Sequence, residues 1–307
     1  MPSWTVKLLC AEDGVVPREG GCMSGSVDKT GAAEGDSSVE TTVAHMRFPG
    51  ERVFEVDVPV TASSDPSAYV FGVKKGGSTL LARILRDLGE YTEKPILELA
   101  KLLFRAGGSH HRVIEDIDGV LARPGYIFGV FRWLPSHDIL PTGGKGPRIW
   151  LIRDPRDIMV SLYYSDRFSH ALPKAEHARQ NMMKKRERLA EIGVDEYVLE
   201  KAPEMMRHYM RSCQLLAHPN FHLFRYEDII FDKAPFVRQL ADLIGADVDD
   251  KVCAEIAKAH DIRPDKEREK SHVRQVTPGN FKEKLSGETI EKLDELFEPV
   301  LHTFNYK

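Results

Sequence analysis

The order of apolar and polar positions predicts alternating strands and helices over most of the chain. Residues 53–58 alternate apolar and polar side chains, which is typical of a half-buried strand. Short continuous apolar runs predict buried strands at residues 69–73, 126–131, 148–152 and 221–225. Runs of this kind, with both neighbours polar or glycine-rich, are typical of a sheet that is covered on both faces.

Longer segments between these runs carry apolar residues at helical spacing, most clearly at residues 78–88. The same period predicts helices at residues 93–106, 157–164, 233–245, 249–260 and 288–301, and over most of 174–218 with breaks near Gly193 and Pro203. Residues 135–147 and 261–287 are rich in proline, glycine or charge and are predicted loops. Alternating strands and helices indicate an α/β fold with a parallel sheet and helices on both faces.

The first 45 residues are rich in Gly, Ser, Ala, Glu and Asp and lack hydrophobic periodicity. We predict that residues 1–45 form a disordered tail and that one folded domain spans residues 46–307, starting near Arg47. A chain of 307 residues with 42% hydrophobic residues is long enough for one large domain with a sizeable core. We find no internal repeat.

Composition narrows the class of partner and the compartment. The formal net charge of −4 argues against broad nucleic-acid binding, so any anion site must be local. The four cysteines are scattered without CxxC spacing, which argues against a zinc site or a disulfide framework and favours a reducing compartment. The N-terminus lacks the apolar run of a signal peptide, and no apolar stretch reaches the ~18 residues of a membrane span. These features predict a cytoplasmic protein.

Residues 72–79 carry the first candidate anion site, between a predicted strand and a predicted helix. Gly72 and Gly77 allow close approach of a ligand to the backbone, and the first turn of a helix presents free amides to phosphate. Lys75 adds a cation, while Ser78 and Thr79 add hydroxyl donors. The glycines match the spacing of a Walker loop, but Ser78 stands where magnesium-dependent nucleotide triphosphatases carry lysine. The segment therefore predicts a phosphate loop for another ligand, with a plain strand–helix turn as the alternative.

Arg153 carries the second candidate site, at the end of an apolar strand where α/β folds place ligand contacts. Ser161 follows about two helical turns later, and the two side chains could hold one phosphate. The alternative is a surface network in which Asp154 and Asp157 pair with Arg153 and Arg156, an interpretation we prefer for Arg156 and Asp157. Phosphate sites on neighbouring strand ends fit a nucleotide with phosphates at both its 5′ and 3′ ends.

These segments resemble motifs of the PAPS-dependent sulfotransferase superfamily. The loop is similar to P-K-S/T-G-T-T-W, and its aligned residues are Lys75, Gly76, Gly77, Ser78 and Thr79, although Gly76 replaces Ser/Thr and Leu80 replaces Trp. Arg153 to Asp157, followed by Ser161, resembles the R-D/N-P-K/R-D…S motif that binds the 3′-phosphate. Tyr226 stands in a segment similar to the Y-E-D strand end, where it would approach the nucleotide.

A later segment, residues 274–282, resembles the R-K-G-x-x-G-D-W-K lid over the 3′-phosphate. Arg274 and Gly279 match it, whereas Gln275 and Val276 depart from it and could contribute backbone amides. The resemblance implies a P-loop-like, single-domain α/β fold with PAPS as donor, 3′-phosphoadenosine 5′-phosphate (PAP) as product, and no required metal. The acceptor would be a hydroxyl or amine of a small molecule, since the chain has no anchor helix.

The resemblance also assigns catalytic roles. Lys75 would act on the bridging oxygen of the leaving group, and an acceptor hydroxyl would need a general base. In cytosolic members of the family this base is a histidine, and Trp133 stands at its position here. His137 is the nearest replacement, and the alternative interpretation of His137 is a surface loop histidine. Other branches of the family use a glutamate on the helix after the loop, a role that Glu98 or Glu93 could fill.

Other functions stay open at this level. Asp154 after an apolar strand could serve as the carboxylate of a P-loop kinase or nucleotide triphosphatase, and Trp133 leaves room for a non-catalytic nucleotide-binding relative. The basic run at residues 184–188 could attract an acidic acceptor, although we prefer a solvated helix face. The sequence leaves the oligomeric state open, with a homodimer as one option, and does not identify the acceptor.

Overall fold

The chain builds two sheets of opposite character, one antiparallel and one parallel. In this computed structural model the described residues are 6–8, 40–48, 52–99, 101–102, 115–132, 134, 140–141, 144–169, 176–263 and 275–307. Their strands are β1 (Val6–Leu8), β2 (Thr41–Phe48), β3 (Arg52–Pro59), β4 (Ala68–Gly72), β5 (Ile96–Leu97), β6 (Glu115–Asp116), β7 (Ile127–Phe131), β8 (Arg148–Ile152) and β9 (Phe221–Arg225).

The α-helices follow the strands of the parallel sheet or cover the faces of that sheet. They are α1 (Ser78–Leu88), α2 (Pro155–Tyr164), α3 (Glu176–Glu191), α4 (Val194–Ser212), α5 (Tyr226–Ile229), α6 (Ala234–Ile244), α7 (Asp250–Ala259), α8 (Phe281–Lys284), α9 (Gly287–Leu296) and α10 (Glu298–Thr303). A π-helical turn, Ser165–Ser169, extends α2. No helix in the described part of the chain combines the length and the apolar character needed to cross a bilayer.

The parallel sheet has the strand order β5-β7-β4-β8-β9. Every residue of β4, β7 and β8 is buried, as continuous apolar runs predict for strands that are covered on both sides. Side chains alternate between two cores: Phe71 and Trp150 face α2, α4, α9 and α10, whereas Val70 and Leu151 face α1, α6 and α7. The predicted α/β fold with helices on both faces is confirmed.

The antiparallel sheet was not predicted, and it changes the proposed start of the folded region. Its strand order is β1-β3-β2-β6, and β2 pairs along its whole length with β3. Ala44 and Met46 are fully buried, so the alternation that builds β2 starts at Thr41, before the predicted boundary near Arg47. In the segment predicted to be disordered, Val6 pairs with Val56. A strand that pairs with distant residues has no local helix or turn signal to reveal it.

Three helix predictions are wrong in detail. The segment predicted as a helix over residues 93–106 contains β5, because the short apolar run Ile96–Leu97 pairs with β7. Pro203 lies inside α4 instead of breaking it, while the break at Gly193 is confirmed. The last predicted helix is two helices, α9 and α10, separated at Phe297, whose buried ring packs in the core.

Candidate active site

The two predicted anion-binding segments lie side by side at one edge of the parallel sheet. Strands β4 and β8 are adjacent and parallel, with Gly72 opposite Leu151, so the residues that follow each strand emerge together. Arg153 Nη1 donates a hydrogen bond of 3.5 Å to the main-chain carbonyl oxygen of Lys75. The arrangement is therefore one shared site on adjacent strand ends.

The loop between β4 and α1 is a tight turn held in an unusual conformation. The amide of Gly76 donates to the carbonyl of Val73 at 2.9 Å, and Lys75 has a φ of 66°. This left-handed conformation costs a non-glycine residue about 1–2 kcal/mol, and strain of this kind clusters at ligand sites. Gly77, at φ 93°, has no room for a side chain, because a Cβ would lie 2.8 Å from the Tyr226 ring.

Helix α1 begins directly after this turn and points its N-terminus at the site. Ser78 is buried and Thr79 is half-buried in its first turn. No side chain among the described residues caps this N-terminus, so the first-turn amides are available to an anion. Strand, turn and helix thus have the backbone arrangement that the sequence predicts for residues 72–79.

The Lys75 side chain sits among positive charges. Burial, assisted by the charges of Lys74, Arg153 and Arg132, lowers the Lys75 pKa from 10.5 to about 8, and the charge of Asp166 opposes that shift. Burial is the largest cause of this shift, since it removes the water that would otherwise stabilise the ammonium, and the charge is left incompletely compensated. A bound anion would supply this missing charge.

Arg153 is 7% exposed, and its guanidinium lies over the Tyr226 ring at 4.5 Å from the ring centroid. Its Nη2 donates to Asp157 Oδ2 across 3.4 Å, a long contact. Its Nε is buried and has no hydrogen-bond partner among the described residues. A buried donor without an acceptor is rare in proteins, and a guanidinium with spare donors fits a phosphate.

Tyr226 and the segment after residue 274 close the site from the other side. Tyr226 opens α5 immediately after β9, and its hydroxyl donates to the Val276 carbonyl at 3.2 Å. Burial raises the Tyr226 pKa, so the phenol is neutral. Gln275 is half-buried, and its side-chain oxygen has no partner within the described ranges. Arg274 lies outside the described residues.

The predicted pairing of Arg156 with Asp154 and of Arg153 with Asp157 is confirmed. Its predicted position at the surface is wrong, because the Arg156 and Asp157 side chains are buried. Arg156 pairs with Asp154 and Asp294, each at 2.6 Å, and lies 4.2 Å from the Phe281 ring centroid. Asp157 accepts hydrogen bonds from the C-terminal part of the chain. Asp294, Gly279 and Phe281 are distant in sequence, so the local motif alone suggested solvent.

Ser161 lies on α2, four positions after Asp157 and so on the same helix face. It is half-buried. This placement puts the hydroxyl one turn along the helix from the carboxylate that contacts Arg153. The structure thus keeps Ser161 on the side of α2 that carries the Arg153 contact.

The candidates predicted for the general base differ in their surroundings. Glu98 follows strand β5 instead of lying on a helix, and its Oε2 accepts from Lys101 at 2.8 Å and Arg86 at 3.4 Å. Its charge is therefore already paired. Glu93 is exposed, and His137 and Trp133 lie outside the described residues.

One histidine that the sequence analysis did not consider lies beside the site. His208 of α4 lines a narrow cleft with Phe71, Gly72, Phe131 and Arg132, at the ends of β4 and β7. The hydroxyl of its neighbour, Tyr209, donates to the Arg153 carbonyl. His208 stands in an ordinary helical pattern without a motif, so only tertiary packing brings it to this edge of the sheet.

Comparison with known protein families gives a match to the part of the chain that includes Arg153, Tyr226 and the segment after residue 274. A family model described as "Sulfotransferase domain" matches residues 147–305, slightly more than half of the 307 residues. No curated protein matches the sequence significantly.

Solved structures match over a longer span. The structure of mouse sulfotransferase SULT7A1 complexed with PAP is 15% identical, covers 78% of this chain and 85% of its own, and superposes with a TM-score of 0.52. Retinol dehydratase with androsterone and PAP is 14% identical over 86% of this chain and 90% of its own, with a TM-score of 0.43. Retinol dehydratase with retinol and PAP is 14% identical over 77% and 82%, with a TM-score of 0.44. At these identities the first similarity shows a shared fold.

Proposed function

The chain belongs to the sulfotransferase family, and from this premise we propose that it moves a sulfuryl group from PAPS to a hydroxyl or amine of a small-molecule acceptor and releases PAP. The observation that carries the proposal is the contact between Arg153 and the Lys75 carbonyl. It brings two candidate anion-binding segments together on adjacent strand ends, where one nucleotide with phosphates at both ends could contact both.

The residues present fit the donor. We propose that Lys75, Gly76, Gly77, Ser78 and Thr79 hold its 5′-phosphosulfate, and that Arg153 and Ser161 hold its 3′-phosphate, with Tyr226, Arg274, Gln275 and Val276 beside or above the nucleotide. Support comes from the buried Arg153 Nε without a described partner and from the uncapped N-terminus of α1. Both features present donors where a phosphorylated ligand would supply acceptors.

Lys75 is the residue proposed to act on the leaving group. In the transfer, an acceptor oxygen or nitrogen bonds to sulfur while the bond between sulfur and the bridging oxygen breaks, and PAP keeps that oxygen. The Lys75 ammonium would stabilise the negative charge that grows there, and the acceptor proton would go to a base. The Lys75 main chain is held at φ 66° shortly before the start of α1, which supports this role because the residue is placed beside the proposed 5′-phosphosulfate site before the donor binds.

Three residues are candidates for the base: His137, Glu98 and His208. Exchanging each in turn, as His137→Ala, Glu98→Gln and His208→Gln, should lower kcat about 10²- to 10⁴-fold only at the true base, because proton removal is needed in the transition state. The same exchange should abolish the acidic limb of the pH–rate profile and leave PAP affinity unchanged. A variant that keeps full activity across pH removes its residue from the list of candidates.

The decisive experiment combines binding with turnover. Thermal shift assays should show stabilisation by PAP without magnesium, and labelled PAPS should pass its sulfuryl group to a member of a panel of phenols, alcohols, amines and glycans. Selective stabilisation by ATP with magnesium would instead support a P-loop kinase. Tight PAP binding without any sulfated product would support a non-catalytic relative.

The proposal includes a compartment and a class of partner. A cytoplasmic location is supported by four scattered cysteines, and an acidic net charge of −4 supports the absence of a nucleic-acid partner. Fractionation of cells that express the full chain would test the location. Size-exclusion chromatography with light scattering would decide between a monomer and a homodimer.

A further inference from the structure

Asp157 is a buried carboxylate that joins three parts of the molecule. It lies in the first turn of α2 and is 1% exposed. Its Oδ2 accepts from the Gly279 amide at 2.8 Å and lies 3.4 Å from Arg153 Nη2. Its Oδ1 accepts from the Phe281 amide at 3.0 Å. One side chain therefore touches both the Arg153 guanidinium and residues 275–281, which we term the cover segment.

The cover segment is fastened on both sides of Arg153. At one end the Val276 carbonyl accepts from Tyr226, whose ring lies under the Arg153 guanidinium. At the other end Gly279 and Phe281 donate to Asp157. Gly279 has a φ of 82°, and a Cβ there would meet no atom within 4 Å, so glycine is needed for the turn and not for space. The position of the segment and the direction of the guanidinium are thus set by the same groups.

A fully buried carboxylate is costly unless hydrogen bonds and a cation compensate it. Two main-chain amides donate hydrogen bonds of 2.8 and 3.0 Å to the Asp157 carboxylate, while the Arg153 contact is longer, at 3.4 Å. Asp157 therefore orients the Arg153 guanidinium but does not occupy all of its hydrogen-bond donors, and the Arg153 Nε has no described partner. An arginine held in this way keeps donors in a fixed plane for an incoming phosphate.

We propose that Asp157 is a positioning residue that makes donor affinity depend on the 3′-phosphate. It acts through Arg153 and the cover segment and does not itself touch the nucleotide. The inference rests on the proposed function, since it assigns the 3′-phosphate to Arg153. Without Asp157, the nucleotide would still meet the Lys75 loop through its 5′-phosphate, but the 3′-phosphate would meet a guanidinium and a cover segment that are no longer held together.

The test compares PAP with adenosine 5′-phosphate, which lacks the 3′-phosphate, by titration calorimetry on the full chain. Asp157→Asn keeps the size of the side chain but turns an NH₂ group toward one of the two amides, so two donors would face each other. We expect the PAP affinity to fall about tenfold or more while the affinity for adenosine 5′-phosphate changes less than about twofold, because a lost hydrogen bond to a charged group is worth about that ratio. The preference for PAP therefore shrinks.

Asp294→Asn is the matched control. Asp294 is half-buried and pairs with Arg156 at 2.6 Å, so the exchange removes a neighbouring charge pair without touching Asp157. We expect this variant to keep the wild-type ratio of the two affinities, even if its melting temperature falls. A general loss of stability would lower both affinities alike, so the ratio separates positioning from folding.

A folded Asp157→Asn protein with the wild-type ratio would overturn the inference. If that protein does not fold, Gly279→Ala loosens the same turn while keeping the carboxylate, and it should reduce the ratio in the same direction. An unchanged ratio in Gly279→Ala would then overturn the inference as well. A wild-type protein that binds both nucleotides equally, or neither of them, would instead count against the proposed function.

Discussion

The two halves of the site are built in contrasting ways, although they touch. Lys75 lies half-buried in a short strained turn between like charges, and its pKa is lowered to about 8. Arg153 is buried, stacked on Tyr226, held by Asp157 and fixed through its carbonyl by Tyr209. Few described contacts restrain the lysine side chain, whereas an aromatic ring and a carboxylate restrain the arginine.

The contrast separates two tasks. A cation that stabilises charge on a leaving oxygen acts mainly in the transition state, so its contribution appears in turnover. A cation that grips a phosphate throughout the reaction benefits from a fixed orientation. We therefore expect changes at Lys75 to affect turnover and changes at Arg153 to affect donor affinity.

Lys75→Ala should produce the largest effect. We expect kcat to fall about 10²- to 10³-fold, as for removal of one group that stabilises a developing charge, with a loss of PAP affinity below about tenfold. Single-turnover rates with labelled PAPS and calorimetric PAP affinity measure the two quantities. Lys74→Ala, which removes a charge from the same loop, is the control and should leave most of the turnover. Equal losses in both quantities for Lys75→Ala would contradict the division of tasks.

Arg153→Ala should weaken PAP binding about 10- to 100-fold, because it removes charge-assisted hydrogen bonds to the 3′-phosphate. Turnover at saturating donor should fall much less. The melting temperature should also drop, since Asp157 loses its only cation among the described contacts. Calorimetry with PAP and with adenosine 5′-phosphate checks the assignment, because the second nucleotide should bind the variant and the wild type about equally.

The pH dependence should come next in size. Since the Lys75 pKa is about 8, below the ordinary 10.5, its charge is present at neutral pH and lost as pH rises through about 8. We expect kcat/KM to fall about tenfold for each further pH unit, because this parameter reports the free enzyme. Lys74→Ala should move the limb to higher pH by removing a like charge. A limb at the same pH in Lys75→Ala would assign it to another group.

Gly77→Ala should produce the smallest effect. A methyl group at φ 93° and 2.8 Å from the Tyr226 ring costs about 1–2 kcal/mol in backbone strain and pushes the two halves of the site apart. We expect a lower melting temperature and a loss of PAP affinity below about tenfold. Gly193→Ala is the control, because its φ is −75° and nothing lies within 4 Å of the added methyl. Identical behaviour of the two variants would remove Gly77 from the site.

The local pattern was sufficient for four of the five strands of the parallel sheet, all except β5. Strands at residues 148–152 and 221–225 and the helix at 78–88 match the predictions because each is a run long enough to show its own period. Strands β4 and β8 are adjacent and parallel, which explains why the motifs at Lys75 and Arg153 could be assigned to one site from the sequence. Strand β1 was missed because it pairs with residues about fifty positions away. Strand β2 was missed although it pairs with the adjacent β3, because its polar and small residues resemble the tail that precedes it.

The sequence by itself determined the fold class, the family and the positions of the two candidate anion-binding turns, since these depend on glycine conformation, strand ends and helix starts that short segments encode. Only the tertiary structure decided that Arg156 and Asp157 are buried, that Glu98 is paired, and that His208 reaches the cleft. Burial, charge compensation and proximity depend on which distant residues pack together, and no short segment of a chain carries that information.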